Sequence, residues 1–262
     1  MKICLITSNR PRHIALAESL SKVATELMVI HEVKPAKLFS SGSLSKNMSD
    51  YMARMEEAET EIFGGMRFTS FKSASMVLAM DEISTLNIDD LSILMDCDLF
   101  VVFGCGIIKG PIADFLFARK AINLHMGLSP FFRGSACNFW AQYFGFPEFV
   151  GATIHYLSAS VDNGTVIKRV VPIELTDDGF QNGMLAVVSG QKAILDIAKH
   201  GTTSDQLTVI HKDEKLIKLS KRADFDERVV SEFMEENRWT AYDLNEKRRK
   251  TLLKVARDII QI

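Results

Sequence analysis

The run KICLIT, Lys2 to Thr7, is apolar at successive positions rather than alternate ones, and LMVIHEV, Leu27 to Val33, begins in the same way. A strand with one face in water alternates, whereas a strand covered on both faces does not. Between the two lies RHIALAESLSKVATEL, in which Ile14, Leu16, Leu20 and Val23 recur at helical spacing. Two strands buried on both faces and joined by a helix open a doubly wound parallel sheet. The pattern predicts an α/β fold: a Rossmann-like, mostly parallel sheet with helices on both sides.

The alternation continues. DLFVVFG (98–104) is the clearest buried strand, followed by a short helix in PIADFLFARK with Pro111 in its first turn, then by the strand KAINLHM. GATIHYLS and TVIKRVVPI read as two more strands. Helices are expected over DEISTLNIDDLSILMDC (81–97) and SDYMARMEEAETEIFG (49–64). The second has Ser49 or Asp50 as N-cap and Gly64 and Gly65 as terminators. The polar, Ser- and Lys-rich stretch from about 34 to 50 predicts an exposed loop or mobile insertion. After Asp178 the pattern turns helical, through GMLAVVSGQKAILDIAKH and ERVVSEFMEENRWT to LNEKRRKTLLKVARDIIQI. That last stretch carries an apolar stripe through Leu252, Leu253, Val255, Ile259 and Ile260. The expected division is a domain over 1–180 and a helical C-terminal extension over 181–262. The extension would pack on the domain, form a homodimer interface, or both.

At 262 residues and 47% hydrophobic, the chain can bury a large core without disulfides or a structural metal. Cys4, Cys97, Cys105 and Cys137 show no zinc-ligand spacing, and reduced thiols are expected. The formal charge of −2 lends no support to a nucleic-acid partner. No apolar run approaches the roughly 18 residues of a membrane span. These features predict a soluble, cytoplasmic protein with a small-molecule partner.

The chemistry-bearing residues cluster at the carboxyl ends of strands, where open α/β sheets bind ligands. NLHMGLSPFFRG sets Asn123 and His125 on one face of a strand by period-two alternation. SVDNGTVI sets Asp162 in a tight turn after the strand that holds His155. Taken singly, each has a plainer reading. A strand-end Asn or His is usually structural, Arg133 can be an exposed loop charge, and Gly104 and Gly106 can simply shape a turn. Phe139, Trp140, Tyr143 and Phe144 read as packing, and Cys105 has no His placed to activate it.

In order and spacing, however, these motifs together resemble the folate-dependent formyltransferases: an Asn-x-His strand end, an Arg-Gly, a Gly-x-Thr-x-His strand and an Asp-x-Gly loop. The resemblance covers about 99–171. It implies Asn123, His125 and Asp162 as the catalytic residues and 10-formyltetrahydrofolate as donor. It also implies a pterin pocket along Phe103, Gly104, Cys105, Gly106, Ile107 and Ile108, closed by Val161 and Asp162. In such chemistry Asn123 and His125 would donate to a developing oxyanion, and Asp162 would orient or protonate His125 or help remove the amine proton. His155 would support the Asp162 loop or contact substrate. Two departures bear on the acceptor. Glycinamide ribonucleotide transformylases hold a phosphate on a Gly-rich loop after the first strand, where this chain reads TSNRPRH. Methionyl-tRNA formyltransferases add a β-rich C-terminal domain, where this tail reads as helical. The remaining expectation is a nucleotide-linked amino sugar, its phosphates met by Arg10, Arg12 or Arg133. The alternatives are another small amine, or a folate-binding protein that performs no transfer.

Overall fold

The computed structural model describes residues 1–33, 44–66, 69–202, 207, 214–239 and 258–262. The chain runs β1 (Lys2–Thr7), α1 (Pro11–Ser21), β2 (Glu26–Val33), α2 (Lys46–Phe63), β3 (Ala74–Ala79), β4 (Leu99–Phe103), α3 (Pro111–Ala118) and β5 (Ile122–His125). It continues through β6 (Phe132–Gly134), α4 (Cys137–Tyr143), β7 (Ala152–Tyr156), β8 (Val166–Val171), α5 (Gly179–His200), β9 (Lys218–Ser220), α6 (Glu227–Glu235) and β10 (Ile259–Gln261). The main sheet has the order β10-β8-β7-β5-β4-β1-β2-β3. Every neighbouring pair is parallel except β5–β7 and β7–β8, so β7 alone runs against the rest. The predicted fold class is borne out.

The non-alternating strands now have their cause. Ile3 and Leu5 of β1 pack into one core with Leu16 and Leu20 of α1 and with α5, while Cys4 and Ile6 pack into the other with Ile112 and Leu116 of α3. Helix α5 begins where Asp178 accepts hydrogen bonds from the Phe180 and Gln181 amides. Lys199 and His200 lie in its last turn, favourably placed on the negative end of the helix dipole. Its inner face rests on β5, β7 and β8, so this part of the tail packs on the sheet.

Several local expectations are corrected. The stretch 81–97 forms two short 3-10 turns, Glu82–Thr85 and Ile88–Leu94, rather than a helix. The Thr85 hydroxyl donates to the Glu82 carbonyl, as short polar side chains do when they compete with a helix, while Ile83, Leu91, Leu94 and Cys97 hold the stretch to the core. Helix α1 stops at Ser21, whose hydroxyl donates to the Glu18 carbonyl. Helix α2 starts at Lys46, capped by the Ser45 hydroxyl, which accepts from the Met48 amide at 3.3 Å. Residues 46–50 of the expected loop are therefore helical, and 34–43 lie outside the described residues. Most of the last predicted helix also lies outside them. Ile259 and Ile260, however, are in strand β10, which pairs with the open edge of β8 and satisfies its backbone groups.

Candidate active site

Strands β5 and β7 pair so that Asn123 lies opposite His155. The loop after β7 then turns back and delivers Asp162, held at φ 46° in the left-handed region. Gly164 makes the return possible, because a side chain there would collide with the Tyr156 carbonyl oxygen. Three donors fix the loop. The Arg133 guanidinium donates to the Val161 carbonyl at 2.7 and 3.2 Å, the Ser129 hydroxyl to the Asp162 carbonyl at 3.3 Å, and the Gly134 amide to Asp162 Oδ2 at 2.9 Å.

The Asp162 carboxylate is the hub. Its Oδ2 lies 3.2 Å from His125 Nδ1, and its Oδ1 accepts from Asn123 Nδ2 at 3.3 Å. Asn123 Nδ2 also meets His155 Nε2 at 3.1 Å, while His155 Nδ1 sits 2.9 Å from the Tyr156 carbonyl. The carbonyl can only accept, so His155 carries a proton on Nδ1, while its Nε2 meets Asn123 and lies 3.5 Å from Asp162 Oδ1. Both ring nitrogens of His155 are thus used within the protein. The sequence-predicted residues Asn123, His125, His155 and Asp162 meet in one network.

Burial alone would raise the Asp162 carboxyl, but His125, His155 and the Gly134 amide outweigh it and hold it at about 2. Burial lowers His125 from its ordinary 6.5, an effect that the neighbouring carboxylate only partly opposes. At neutral pH the pair is therefore a carboxylate and a neutral imidazole, with Nδ1–H donated to Asp162. His125 Nε2 faces the Phe132 carbonyl at 3.2 Å, so a proton arriving there finds an acceptor ready.

Both shifts have the same sign for stability. Below pH 6.5 the unfolded chain gains a proton at His125 that the folded chain resists. Between 3.8 and about 2 the Asp162 contribution is lost as well. Stability should fall as the pH drops below 6.5, with a further loss below 3.8. Replacing His125 by Asn should flatten the first limb; thermal melting at stepped pH measures both.

The loop after β4 sits at the topological switch between β1 and β4. It is anchored by Glu32, a wholly buried carboxylate that accepts the Gly106 amide and, at 2.8 Å, the Asp81 amide. A Cβ at Gly106 would lie 2.9 Å from Asp81 Oδ1 and 3.2 Å from Glu32 Oε2, so a side chain there would press on both carboxylates. The anchored loop leaves Ile107 63% exposed, and Val161 beside Asp162 is 43% exposed. Phe103 differs: its ring is buried against His13, and its carbonyl accepts from the Thr7 hydroxyl at 2.7 Å.

The basic residues are less free than the sequence suggested. Arg12 is paired with the buried Glu59 at 2.8 Å, and Arg133 is committed to Val161. Arg10 is exposed at the start of α1. Glu32 escaped the sequence reading, although an acidic residue inside the apolar run LMVIHEV was a visible signal.

Residues 78–182 match the model of the formyl transferase family, and this segment contains Asn123, His125, Asp162 and the loop after β4. No curated protein matches the chain by sequence. Among solved structures, a phosphoribosylglycinamide formyltransferase from Anaplasma phagocytophilum is 20% identical with a TM-score of 0.52, covering 84% of this chain and 99% of that one. A sugar N-formyltransferase from a Shewanella species is 16% identical with a TM-score of 0.52, covering 86% and 78% respectively. A 4-N formyltransferase from Francisella tularensis is 16% identical with a TM-score of 0.50, covering 86% and 77%. The fold is that of solved formyltransferases. The family match on the segment that carries the site bears out the resemblance to folate-dependent formyltransferases and the enzyme class that it implies.

Proposed function

We propose that the protein transfers the formyl group of 10-formyltetrahydrofolate to the primary amine of a small molecule. The observation that carries this reading is the Asp162 carboxylate, held at once by His125 and Asn123 in a segment that matches the formyl transferase family. In the proposed reaction the neutral amine attacks the formyl carbon and a new C–N bond forms. Asn123 exchanges its long contact to Asp162 for the developing oxyanion, a kind of donor worth about 3–4 kcal/mol in such steps. His125 takes the amine proton at Nε2, and its imidazolium is held by Asp162 and the Phe132 carbonyl. Collapse then breaks the bond to N10 of the folate, which receives that proton, leaving a formamide and tetrahydrofolate. The exposed Ile107 and Val161 suit the flat pterin.

The likeness in fold to sugar N-formyltransferases supports a nucleotide-linked amino sugar as acceptor. The engagement of Arg12 and Arg133 favours the other acceptor class read from the sequence, another small amine. Calorimetry with a stable, non-transferring analogue of the donor tests the reading without knowledge of the acceptor. Micromolar binding is expected. Glu32→Gln should weaken it by about tenfold, because the amide nitrogen of Gln would face a backbone N–H that needs an acceptor. Absence of binding by the wild type at millimolar analogue would sink the reading.

A further inference from the structure

A cavity of about 280 Å3 reaches His125 and Gly134 from the side of α2, α5 and α6. Much of its wall is carbon, from Met55 of α2, Phe180, Met184 and Val187 of α5, and Phe233 of α6, while His125, Asn138 and Gln142 add polar groups. The only cationic side chain lining it, among the described residues, is Arg12, and Glu59 balances that charge at 2.8 Å. Tyr51 also lines the cavity, ringed by Phe139, Phe180, Phe225 and Phe233 with centroids 5.2–6.1 Å away. Its hydroxyl has no hydrogen-bond partner among the described residues, and burial raises its pKa, so it stays protonated.

These features select an occupant. The volume lies just below the ~300–1,000 Å3 range of small-molecule sites, enough to take in one ring or a short chain, so a nucleoside diphosphate would have to lie outside it. A phosphate in it would lose its water with no unbalanced cation to replace it. An ammonium is penalised in the same way, so entry favours the neutral, nucleophilic form of an amine. The unpartnered phenol rewards one hydrogen-bonding group on an otherwise apolar body.

Resting on the formyl-transfer reading above, we propose that this cavity is the acceptor site. Its ligand class is a compact primary amine with an aryl or alkyl body, free of phosphate, carrying one polar group that meets the Tyr51 hydroxyl. Gly183 of α5 provides the handle. It lines the cavity, and a Cβ there meets nothing within 4 Å, so larger side chains extend into the empty space.

The test measures formamide production by the full chain with 10-formyltetrahydrofolate. The amines are tyramine, phenethylamine, hexylamine and a set of nucleotide-linked amino sugars, and donor-analogue affinity is measured in parallel. The arylalkylamines should be formylated and the nucleotide sugars should not. Gly183→Leu should raise the KM for tyramine at least tenfold with donor affinity unchanged, and Gly183→Ala, which adds a single carbon, should raise it far less. Tyr51→Phe should lower the preference for tyramine over phenethylamine about tenfold. Turnover of nucleotide sugars but not arylalkylamines would overturn the acceptor class while leaving formyl transfer intact. An unchanged KM in Gly183→Leu would overturn the assignment of the cavity. If the wild type neither binds the donor analogue nor formylates any amine, the formyl-transfer reading fails and the proposal falls with it.

Discussion

Asp162→Asn should lower kcat/KM by roughly 10³–10⁴-fold while leaving the fold in place. Three donors converge on this carboxylate, from His125, Asn123 and the Gly134 amide. Asparagine offers one oxygen and an NH2 group, so at least one of those donors would face another donor. Without the charge, His125 is no longer held with its proton on Nδ1, and the imidazolium formed on accepting the amine proton loses its counter-ion. The backbone is not at risk, since asparagine adopts the left-handed conformation at φ 46° as readily as aspartate. The variant should keep its melting temperature to within a few degrees and still bind the donor analogue. Turnover within tenfold of wild type would remove Asp162 from the chemistry.

The largest expected effect on stability lies elsewhere. Arg169 of β8 is wholly buried, and its guanidinium bridges two acidic residues that are distant in sequence. It donates to Glu214 through Nη1 and, at 3.1 Å, through Nη2. It meets both oxygens of Asp258, with Nε 3.0 Å from Oδ2, and reaches the Ser129 carbonyl at 3.2 Å. Arg169→Met keeps the bulk and removes the cation, leaving two carboxylates without their counter-charge. A loss of about 3–5 kcal/mol is expected, or roughly 2–4 °C of melting temperature for each kcal/mol in a chain of this size. Adding Glu214→Gln and Asp258→Asn should recover part of the loss, because the penalty comes from uncompensated charge. A single variant that melts with the wild type would show that the cluster carries no net stability. Activity should fall as well, since Ser129, which Arg169 steadies through its carbonyl, also holds the Asp162 backbone.

Elements with a strong local signature were legible. β1, β2 and β4 could be read because burial on both faces leaves a run of successive apolar residues, which needs no knowledge of the neighbouring strands. Strand periodicity puts Asn123 and His125 on one face, and their grouping with Asp162 comes from the order of motifs that carries the formyltransferase resemblance. β3 is harder to read: its apolar run MVLAM is short, and as an edge strand it leaves most of that run in water, with Leu78 alone buried. Glu32 could be seen as an anomaly, but its partners Gly106 and Asp81 are fixed by the crossover and not by local sequence.

The sequence by itself determined the alternation of buried strands with helices and the order of the motifs, because each depends on periodicity and residue chemistry within a short window; the roles given to Asn123, His125 and Asp162 rest on the resemblance that those motifs carry. Only the tertiary structure decided that Arg12 and Arg133 are engaged within the protein, that Ile259 joins a strand and not a helical stripe, and that Tyr51 faces a cavity beside His125. In each case the deciding partner lies far along the chain. Charge balance, edge pairing and enclosure are properties of what the fold brings together.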